Sequence, residues 1–465
     1  MHEGLEGIKK GAVLPVDIQS LSFGGEGVAK ENDFVIFVPG ALPGQKAKVK
    51  IIRKKKPYAE ATLLEVLTES PDVVSAKCPH FLQCGGCSLQ HYSYEKQLEA
   101  KTTQVRDLLA HLGGISNPTV LSAIPSPQIF FYRNKMEFTF DDQPPFHLGF
   151  HLKKRFDKIL PIDSCFLQSE ESNSLLKAIS SLVEKSSLPV YRRWTHQGFW
   201  RHVAIREGKK TGERMINFIT ADFGEDGKSE VQRITNELLK ERSDVTTVVH
   251  TINRGKAEVA TGEEVNAVFG PGFINEEILG FRFRISPLSF FQTNSLGAER
   301  LFQVVEEFAG LSGGETVVDG YCGTGAISVC LSRKAKQIIG IELLPDAIKD
   351  AKSNADLNGV KNCSFQVVDF KDFDLHEINP SILILDPPRS GLHPKVVYKT
   401  ANSNIPRILY VSCNPSTLAR DAKDLVLSGY SLEKVQPVDL FPHTGHIELI
   451  ALFGRETVQK IGHLF

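Results

Sequence analysis

Cys413 follows an apolar run, Ile408 to Val411, that reads as a buried strand, and Asn414-Pro415 turns the chain immediately after it. A helix-like run comes next, with Ser416 or Thr417 as its predicted N-cap. The carboxyl end of a strand is the ligand-binding edge of an open α/β sheet, and a helix N-terminus favours a thiolate. Cys413 therefore has the setting of a nucleophile, although a lone intracellular cysteine is more often buried and inert. Its neighbours in the sequence decide between the two.

Four other cysteines have the spacing of a metal centre. Cys78, Cys84 and Cys87 run as C-x5-C-x2-C, and Cys165 follows in isolation. Gly85 and Gly86 allow the tight loop that brings Cys84 and Cys87 to one centre. Four thiolates suit tetrahedral zinc or a cubane iron–sulfur cluster, and the asymmetric spacing weakens the case for zinc. Three cysteines with an open iron would suit radical chemistry, whereas a fourth ligand from Cys165 closes the cluster and favours a structural or sensing role. His80 reads as a surface or supporting residue.

A third constellation suits a cofactor. Glu315 to Asp319 is strand-like, Gly320-Tyr321-Cys322-Gly323-Thr324-Gly325 is a glycine-rich turn, and Glu342 ends the next predicted strand, 23 residues after Asp319. That distance lets a carboxylate reach ribose hydroxyls. The glycines run G-x-x-G-x-G, with none placed for a pyrophosphate, which fits a nucleoside cofactor without phosphates such as S-adenosylmethionine. Asp369 and Asp386-Pro387-Pro388-Arg389 close two further predicted strands. Cys322, Cys330 and Cys363 read as small packing residues.

The elements that position these groups follow from texture. The 465 residues allow about three domains, and a net charge of −1 excludes any global basic character, so a nucleic-acid surface must be local. Met1 to Gly7 lacks a basic and apolar leader, and no run of about 18 apolar residues occurs, so a cytoplasmic protein without a membrane span is expected. Eight cysteines without an export signal point to metal or catalysis rather than disulfides. Residues 5–68 read as short strands and turns, hence a small barrel, with turns at Phe23–Gly27 and Pro39–Gly44. Its basic cluster is Lys46, Lys48, Lys50, Arg53, Lys54, Lys55 and Lys56, with Tyr58 available to stack on a base. A solvated edge strand explains the lysines equally well.

Residues 69–288 read as a central α+β domain carrying the cysteines. A helix spans 90–112, with Tyr94, Leu98, Val105, Leu108 and Leu109 at core spacing. A strand runs from Tyr132 to Phe140, and Arg201, His202 and Arg206 are candidates for facing RNA. Residues 289–465 alternate strand and helix, which implies a parallel, Rossmann-like sheet.

Ser22 to Lys30 followed by Val38 to Gln45 resembles a TRAM domain, a family of small RNA-binding β-barrels. Nearly the whole chain resembles the RNA 5-methyluridine (uracil-5-) methyltransferases of the class I fold. The resemblance rests on the barrel, the four cysteines, Phe290-Phe291-Gln292-Thr293-Asn294, Asp319 to Gly325, Asp386 to Arg389, Ser412 to Pro415, and Phe441 to Glu448. It implies that Gln292, Tyr321, Glu342 and Asp386 contact S-adenosylmethionine, that Cys413 is the nucleophile and Glu448 the general base, and that Cys78, Cys84, Cys87 and Cys165 hold a 4Fe–4S cluster. Gly320 replaces a larger apolar residue of that family, and Ala326 lacks a polar side chain that some members have, so no cofactor contact is assigned to position 326.

The implied protein is a monomer acting on RNA, with large-subunit ribosomal RNA favoured over tRNA. Three other classes compete. A non-catalytic iron–sulfur RNA sensor needs neither Cys413 nor Asp386. A nicotinamide oxidoreductase is disfavoured by the glycine spacing. A cytosine-5 methyltransferase also uses cysteine, and the resemblance alone selects uracil.

Overall fold

The computed structural model describes residues 8–31, 34–141 and 146–455. The expected barrel start at 5–7 and the end of the expected catalytic domain, 456–465, lie outside the described residues.

Five strands, Val13–Leu21, Glu26–Glu31, Phe34–Pro39, Lys46–Lys54 and Tyr58–Thr68, form a closed barrel. Along Lys46–Lys54 the side chains alternate: Ala47, Val49 and Ile51 fill the barrel while Lys46, Lys48 and Lys50 face out. Glu26 and Gly27, expected in a turn, open a strand instead. A Cβ at Gly27 would lie 2.7 Å from the Ala41 carbonyl oxygen, so the close approach of that loop requires glycine.

The central sheet has seven strands in the order Glu264–Phe269, Thr247–Ile252, Arg214–Thr220, Trp200–Glu207, Lys135–Asp141, His147–Leu152 and Arg155–Pro161. Only Arg214–Thr220 and Thr247–Ile252 run parallel, joined by the helix Gly224–Glu241. The strand expected from Tyr132 begins at Lys135. Every residue of Trp200–Glu207 is buried, so Arg201, His202 and Arg206 do not face RNA. The Arg201 guanidinium donates to the carbonyls of Asn253, Gly255 and Ala257, and Arg206 donates to that of Ser289.

The third sheet contains β1 (Thr316–Gly320), β2 (Gln337–Glu342), β3 (Cys363–Val367), β4 (Ile382–Leu385), β5 (Arg407–Ser412), β6 (Ser431–Val438) and β7 (Glu448–Gly454). Their spatial order is β3-β2-β1-β4-β5-β7-β6, with β7 antiparallel to both neighbours. Strand order reverses between β1 and β4, which opens a crevice at their carboxyl ends. The Rossmann-like sheet behind a small barrel and an α+β region is the architecture expected from the sequence. The helix Tyr94–His111 packs on this sheet's side of the molecule, and Val120 and Ile124 bridge to Val435 and Val438 at its β6 edge.

Candidate active site

Ile408 to Val411 are fully buried in β5, and Cys413 stands half-buried just past its carboxyl end. The N-cap of the following helix, Pro415–Leu427, is Asn414 rather than Ser416 or Thr417: its side-chain oxygen accepts from Ser416 N at 3.0 Å, and Pro415 takes the first helical position. Asn414 Nδ2 also donates to the Arg389 carbonyl at 3.1 Å, tying the cysteine turn to the Asp386–Arg389 segment.

Ser412 pairs with Leu449, so the next residue of β5's path, Cys413, meets the first residue of β7, Glu448. Because β7 is antiparallel, its amino end shares an edge with the carboxyl ends of β1, β2, β4 and β5. That edge therefore carries Asp319, Glu342, Asp386, Cys413 and Glu448.

The electrostatics there oppose a simple thiolate. Burial pushes the Cys413 thiol up to about 11; Glu448 and Asp386 raise it further, and Arg389 works against them. The expectation that the helix N-terminus favours the thiolate is thus overridden by desolvation and two neighbouring carboxyls. Glu448 is 5% exposed, and burial, then Asp386, raises its carboxyl well above the ordinary range, with Arg389 again opposing. Burial and Asp319 push Asp386 up to about 7, and burial also takes Asp319 to about 7.

The glycine-rich turn is built for close approach. Tyr321, Gly323 and Gly325 have φ of 66°, 52° and 77°, and a Cβ at Gly323 would meet nothing within 4 Å. Glu342 is fastened to this turn: Oε2 accepts from Gly323 N at 3.3 Å, and Oε1 accepts from Leu343 N and Leu344 N at 2.7 and 3.0 Å. A Cβ at Gly320 would strike Phe370 at 2.7 Å and Leu385 at 3.1 Å. The ring of Phe370, which also lies 5.5 Å from that of Tyr321, occupies the volume of the larger residue expected there. The Asp369 carboxylate is committed locally: it caps the turn Phe370–Asp372 and pairs with Lys371 at 2.6 Å.

Gln292 is half-buried in a segment held from two sides. Asn134 Nδ2 donates to its carbonyl at 2.8 Å, and Asn294 donates to the Leu440 carbonyl while capping the helix Ser295–Ala309. Cys322 and Cys330 are buried and Cys363 half-buried in the hydrophobic core, as packing residues.

Cys78, Cys84, Cys87 and Cys165 are all free thiols and line one cavity of 520 Å³, together with Arg133 and Arg206. Burial pushes Cys87 up to about 12; Gln90 Nε2, donating to its Sγ at 3.3 Å, opposes this, and the three other thiols add to the rise. Among the described residues no three His, Cys, Asp or Glu side chains are grouped as ligands of a single metal ion.

Sequence reasoning overlooked a polar clamp. The buried face of Tyr94–His111 carries Gln97, Lys101 and Thr102 beside Val105 and Leu109. Lys101 Nζ donates to Asp439 Oδ1 at 2.7 Å with the two side chains 1% and 0% exposed, and Tyr94 Oη donates to Oδ2 at 3.0 Å. Gln97 Oε1 accepts from His443 N at 2.9 Å. Tyr94, Gln97 and Lys101 thus lie on one helical face and grip residues 439–443, the loop that leads into Glu448. The only signal in the sequence is that i, i+3, i+7 spacing of residues that are not apolar. The barrel reaches the same loop: a Cβ at Gly445 would collide with Gly24 backbone at 2.3 Å. His446 Nδ1 lies 3.4 Å from an Arg389 nitrogen.

The lysine-rich run Lys54–Lys56 is exposed, with Lys54 and Lys55 lying 5.5 and 5.1 Å from the rings of Phe34 and Tyr58. Tyr58 is half-buried, its ring edge-on to Phe37, so one face is already taken by a cation.

The family described as tRNA (Uracil-5-)-methyltransferase matches residues 93–456, and the TRAM domain matches residues 8–64. An uncharacterized RNA methyltransferase of Clostridium tetani is 39% identical over 453 residues, covering 95% of this chain and 98% of its own length. Another, of Caldanaerobacter subterraneus subsp. tengcongensis, is 39% identical over 450 residues, covering 95% and 99%. The crystal structure of the Pyrococcus abyssi tRNA (uracil-54, C5)-methyltransferase in complex with S-adenosyl-L-homocysteine is similar with a TM-score of 0.76 at 30% identity, covering 95% of this chain and 100% of that one. With its Rossmann-like sheet and with cysteine and carboxyl groups gathered on one edge, the chain belongs to the tRNA (uracil-5-)-methyltransferase family of RNA methyltransferases and carries a TRAM domain ahead of that region.

Proposed function

We propose that this protein methylates C5 of a uridine in RNA through a covalent adduct, with Cys413 as nucleophile and Glu448 as base. The observation that carries this reading is the register that sets Cys413 against Glu448 beside Asp386 and Arg389. C5 of uracil is too weak a nucleophile on its own. The Cys413 thiolate bonds to C6, the displaced electron pair makes an enolate, and C5 gains nucleophilic character. When bound, S-adenosylmethionine supplies the methyl group as an electrophilic sulfonium. Glu448 then takes the C5 proton, and the C6–S bond breaks as its electrons return to the thiolate. Asp386 and Arg389 orient the base, which must be unstacked to enter.

Gln292, Tyr321, Glu342 and Asp386 are the proposed cofactor residues. The open space over Gly323 and the fixed Glu342 carboxylate support them. The proposal divides the chain into an RNA-binding barrel (5–68), a central domain (69–288) and a catalytic domain (289–465), in a cytoplasmic monomer. Among the described residues no helix is long and apolar enough to cross a membrane. Mapping 5-methyluridine in RNA from a deletion strain tests the function and names the RNA. The sequence reading favours large-subunit ribosomal RNA; the P. abyssi neighbour is named for tRNA uracil-54. A strain that retains every 5-methyluridine would overturn the assignment.

Cys78, Cys84, Cys87 and Cys165 fit a 4Fe–4S cluster. The four thiols line one cavity, and an amide N–H from Gln90 points at Cys87 sulfur. Anaerobically purified protein is expected to be brown, with absorption near ~400 nm and labile sulfide. Cys165→Ser should lose the colour as fully as Cys84→Ser. Stoichiometric zinc without sulfide would refute the cluster.

For the barrel, replacing Lys54, Lys55 and Lys56 by Ala should weaken RNA binding. It should also flatten the salt dependence by about 2–3 units of slope if all three touch phosphate. An unchanged slope would make them a solvated strand edge.

A further inference from the structure

The four-cysteine cavity is braced against both sides of the reaction centre. Just past Cys87, Ser88 N and Leu89 N both donate to the His443 carbonyl at 2.9 Å, in the loop that leads into Glu448. Just past Cys165, the Leu167 carbonyl accepts from Arg133 N at 2.8 Å. The next residue, Asn134, donates its backbone N to the Thr293 carbonyl and its Nδ2 to that of Gln292, each at 2.8 Å. Ser289, Phe290, Phe291 and Thr293 line the cavity, and Gln292 does not. The run that carries this proposed cofactor residue is therefore one wall of the cysteine site. Arg206 crosses to that wall. It is 3% exposed, lines the cavity, and donates Nη2 to the Ser289 carbonyl at 2.5 Å. Its Nε is buried with no hydrogen-bond partner among the described residues. Three cations, Arg133, Lys135 and Arg206, line the cavity against one carboxylate, Glu137, which pairs with Lys135.

We infer that Arg206 is a positioning residue for the methyl transfer, tying the four-cysteine centre to the Ser289–Asn294 run so that a loaded centre holds Gln292 ready for the cofactor. The inference rests on the two readings that the cysteines hold an iron–sulfur cluster and that Gln292 contacts S-adenosylmethionine. A buried guanidinium with a donor left over is costly unless an anion stands near. Four thiolates around a 4Fe–4S cluster are such an anion, and their sulfurs accept from N–H donors. The planar fork of arginine suits a bridge, with Nη2 on the Ser289 carbonyl and Nε left for a sulfur. Without that anion, hydration competes for the guanidinium, and a turn toward water takes the donor away from Ser289. Asn134 fixes the far half of the run with neutral bonds. Arg206 fixes the near half, and only that half answers to the charge in the cavity. Cofactor binding and cluster reduction are thereby linked. An Arg206 held in place keeps a positive charge beside the cluster and favours its more negative, reduced state, and the coupling is reciprocal.

Full-length protein, kept anaerobic, is titrated with S-adenosylhomocysteine by calorimetry. The reduction potential of its cluster is measured by dithionite titration and electron paramagnetic resonance, with and without saturating S-adenosylhomocysteine. The ligand should raise the wild-type potential, because it holds Ser289, and with it Arg206, in place. Arg206→Met should bind S-adenosylhomocysteine roughly 10-fold more weakly, the worth of one hydrogen bond from a charged group. Its potential should lie below that of the wild type, since a buried cation has gone, and the ligand should no longer move it. Arg206→Lys keeps the charge but not the fork. Its potential should stay near the wild-type value, while S-adenosylhomocysteine binds as weakly as to Arg206→Met and shifts the potential little. Where Arg206→Met takes up no iron, Arg206→Lys is the test. An absent or downward shift in the wild type, a shift that persists in Arg206→Met, or wild-type affinity and shift in Arg206→Lys overturns the inference and leaves the cluster and cofactor readings standing. Wild-type protein without iron and sulfide would instead sink the cluster reading, and a loaded wild type that binds no S-adenosylhomocysteine the cofactor reading; either takes this inference with it.

Discussion

Glu448→Gln protein mixed with unmodified RNA and S-adenosylmethionine should accumulate a denaturation-resistant protein–RNA complex that already carries the methyl group. Neither addition of Cys413 to C6 nor methyl transfer needs a base at position 448. Release does, because the C5 proton must leave before the C6–S bond can break. Cys413→Ala should lower turnover by about four to six orders of magnitude and form no complex. The double variant should form none either. RNA containing 5-fluorouridine should stall the wild type in the same way, since fluorine replaces the C5 proton that must leave. Electrophoresis under denaturing conditions with labelled methyl donor reads all of these. Normal turnover by Glu448→Gln would remove Glu448 from its role, and a complex that survives without Cys413 would remove the nucleophile. The same trap has a pH dependence. With the thiol near 11 in the free protein, the thiolate fraction is small at neutral pH and grows as pH rises, so adduct formation should speed up from pH 6 toward 9. Deprotonation of Asp386 near 7 adds negative charge beside Cys413 and blunts that rise.

Lys101→Met should be the most destabilising single change outside the reaction centre. It leaves Asp439 fully buried without its ammonium partner, and breaking a buried pair on one side costs about 3–5 kcal/mol. For a domain of this size that is a fall of on the order of 10 °C in Tm. Lys101→Met combined with Asp439→Leu removes both charges and should recover much of the loss, because two uncharged groups of similar volume leave no buried ion behind. Differential scanning calorimetry of the two variants measures it. Equal melting of Lys101→Met and wild type would mean that water reaches Asp439 and that the clamp does not hold residues 439–443. Because this loop leads into β7, a softened clamp should also raise the steady-state level of covalent complex, as a milder form of the Glu448→Gln behaviour.

Most of the catalytic sheet was legible because its signals are local. Apolar runs bounded by glycine, proline and acids put the carboxyl end of β2 at Glu342 and laid β5 over Ile408 to Val411, within its observed bounds. Strand-to-helix turns put Asp386 and Cys413 at carboxyl ends, where a parallel sheet binds ligands. Glu448 was legible only through resemblance. Nothing in an apolar run from Ile447 to Phe453 announces that its first acid will meet a cysteine 35 positions earlier. The central region was read less well. Arg201 and Arg206 look like surface cations in sequence, but they are buried because carbonyls from loops at 253–257 and 289 arrive to receive them.

By itself, then, the sequence determined the order of elements, the parallel sheet, the small barrel, and which strand ends bear reactive groups. Each follows from a period of 2 or 3.6 and from turn residues within a few positions. Only the tertiary structure decided what those groups face. Inserting β7 antiparallel between β5 and β6 sets Glu448 against Cys413. Lys101 and Asp439, separated by 338 positions, become a buried pair. The helix N-terminus behind Cys413 fails to make it a free thiolate. The reason is common to all three: register, ion pairing and desolvation depend on which distant segments close around a residue, and no local pattern encodes that.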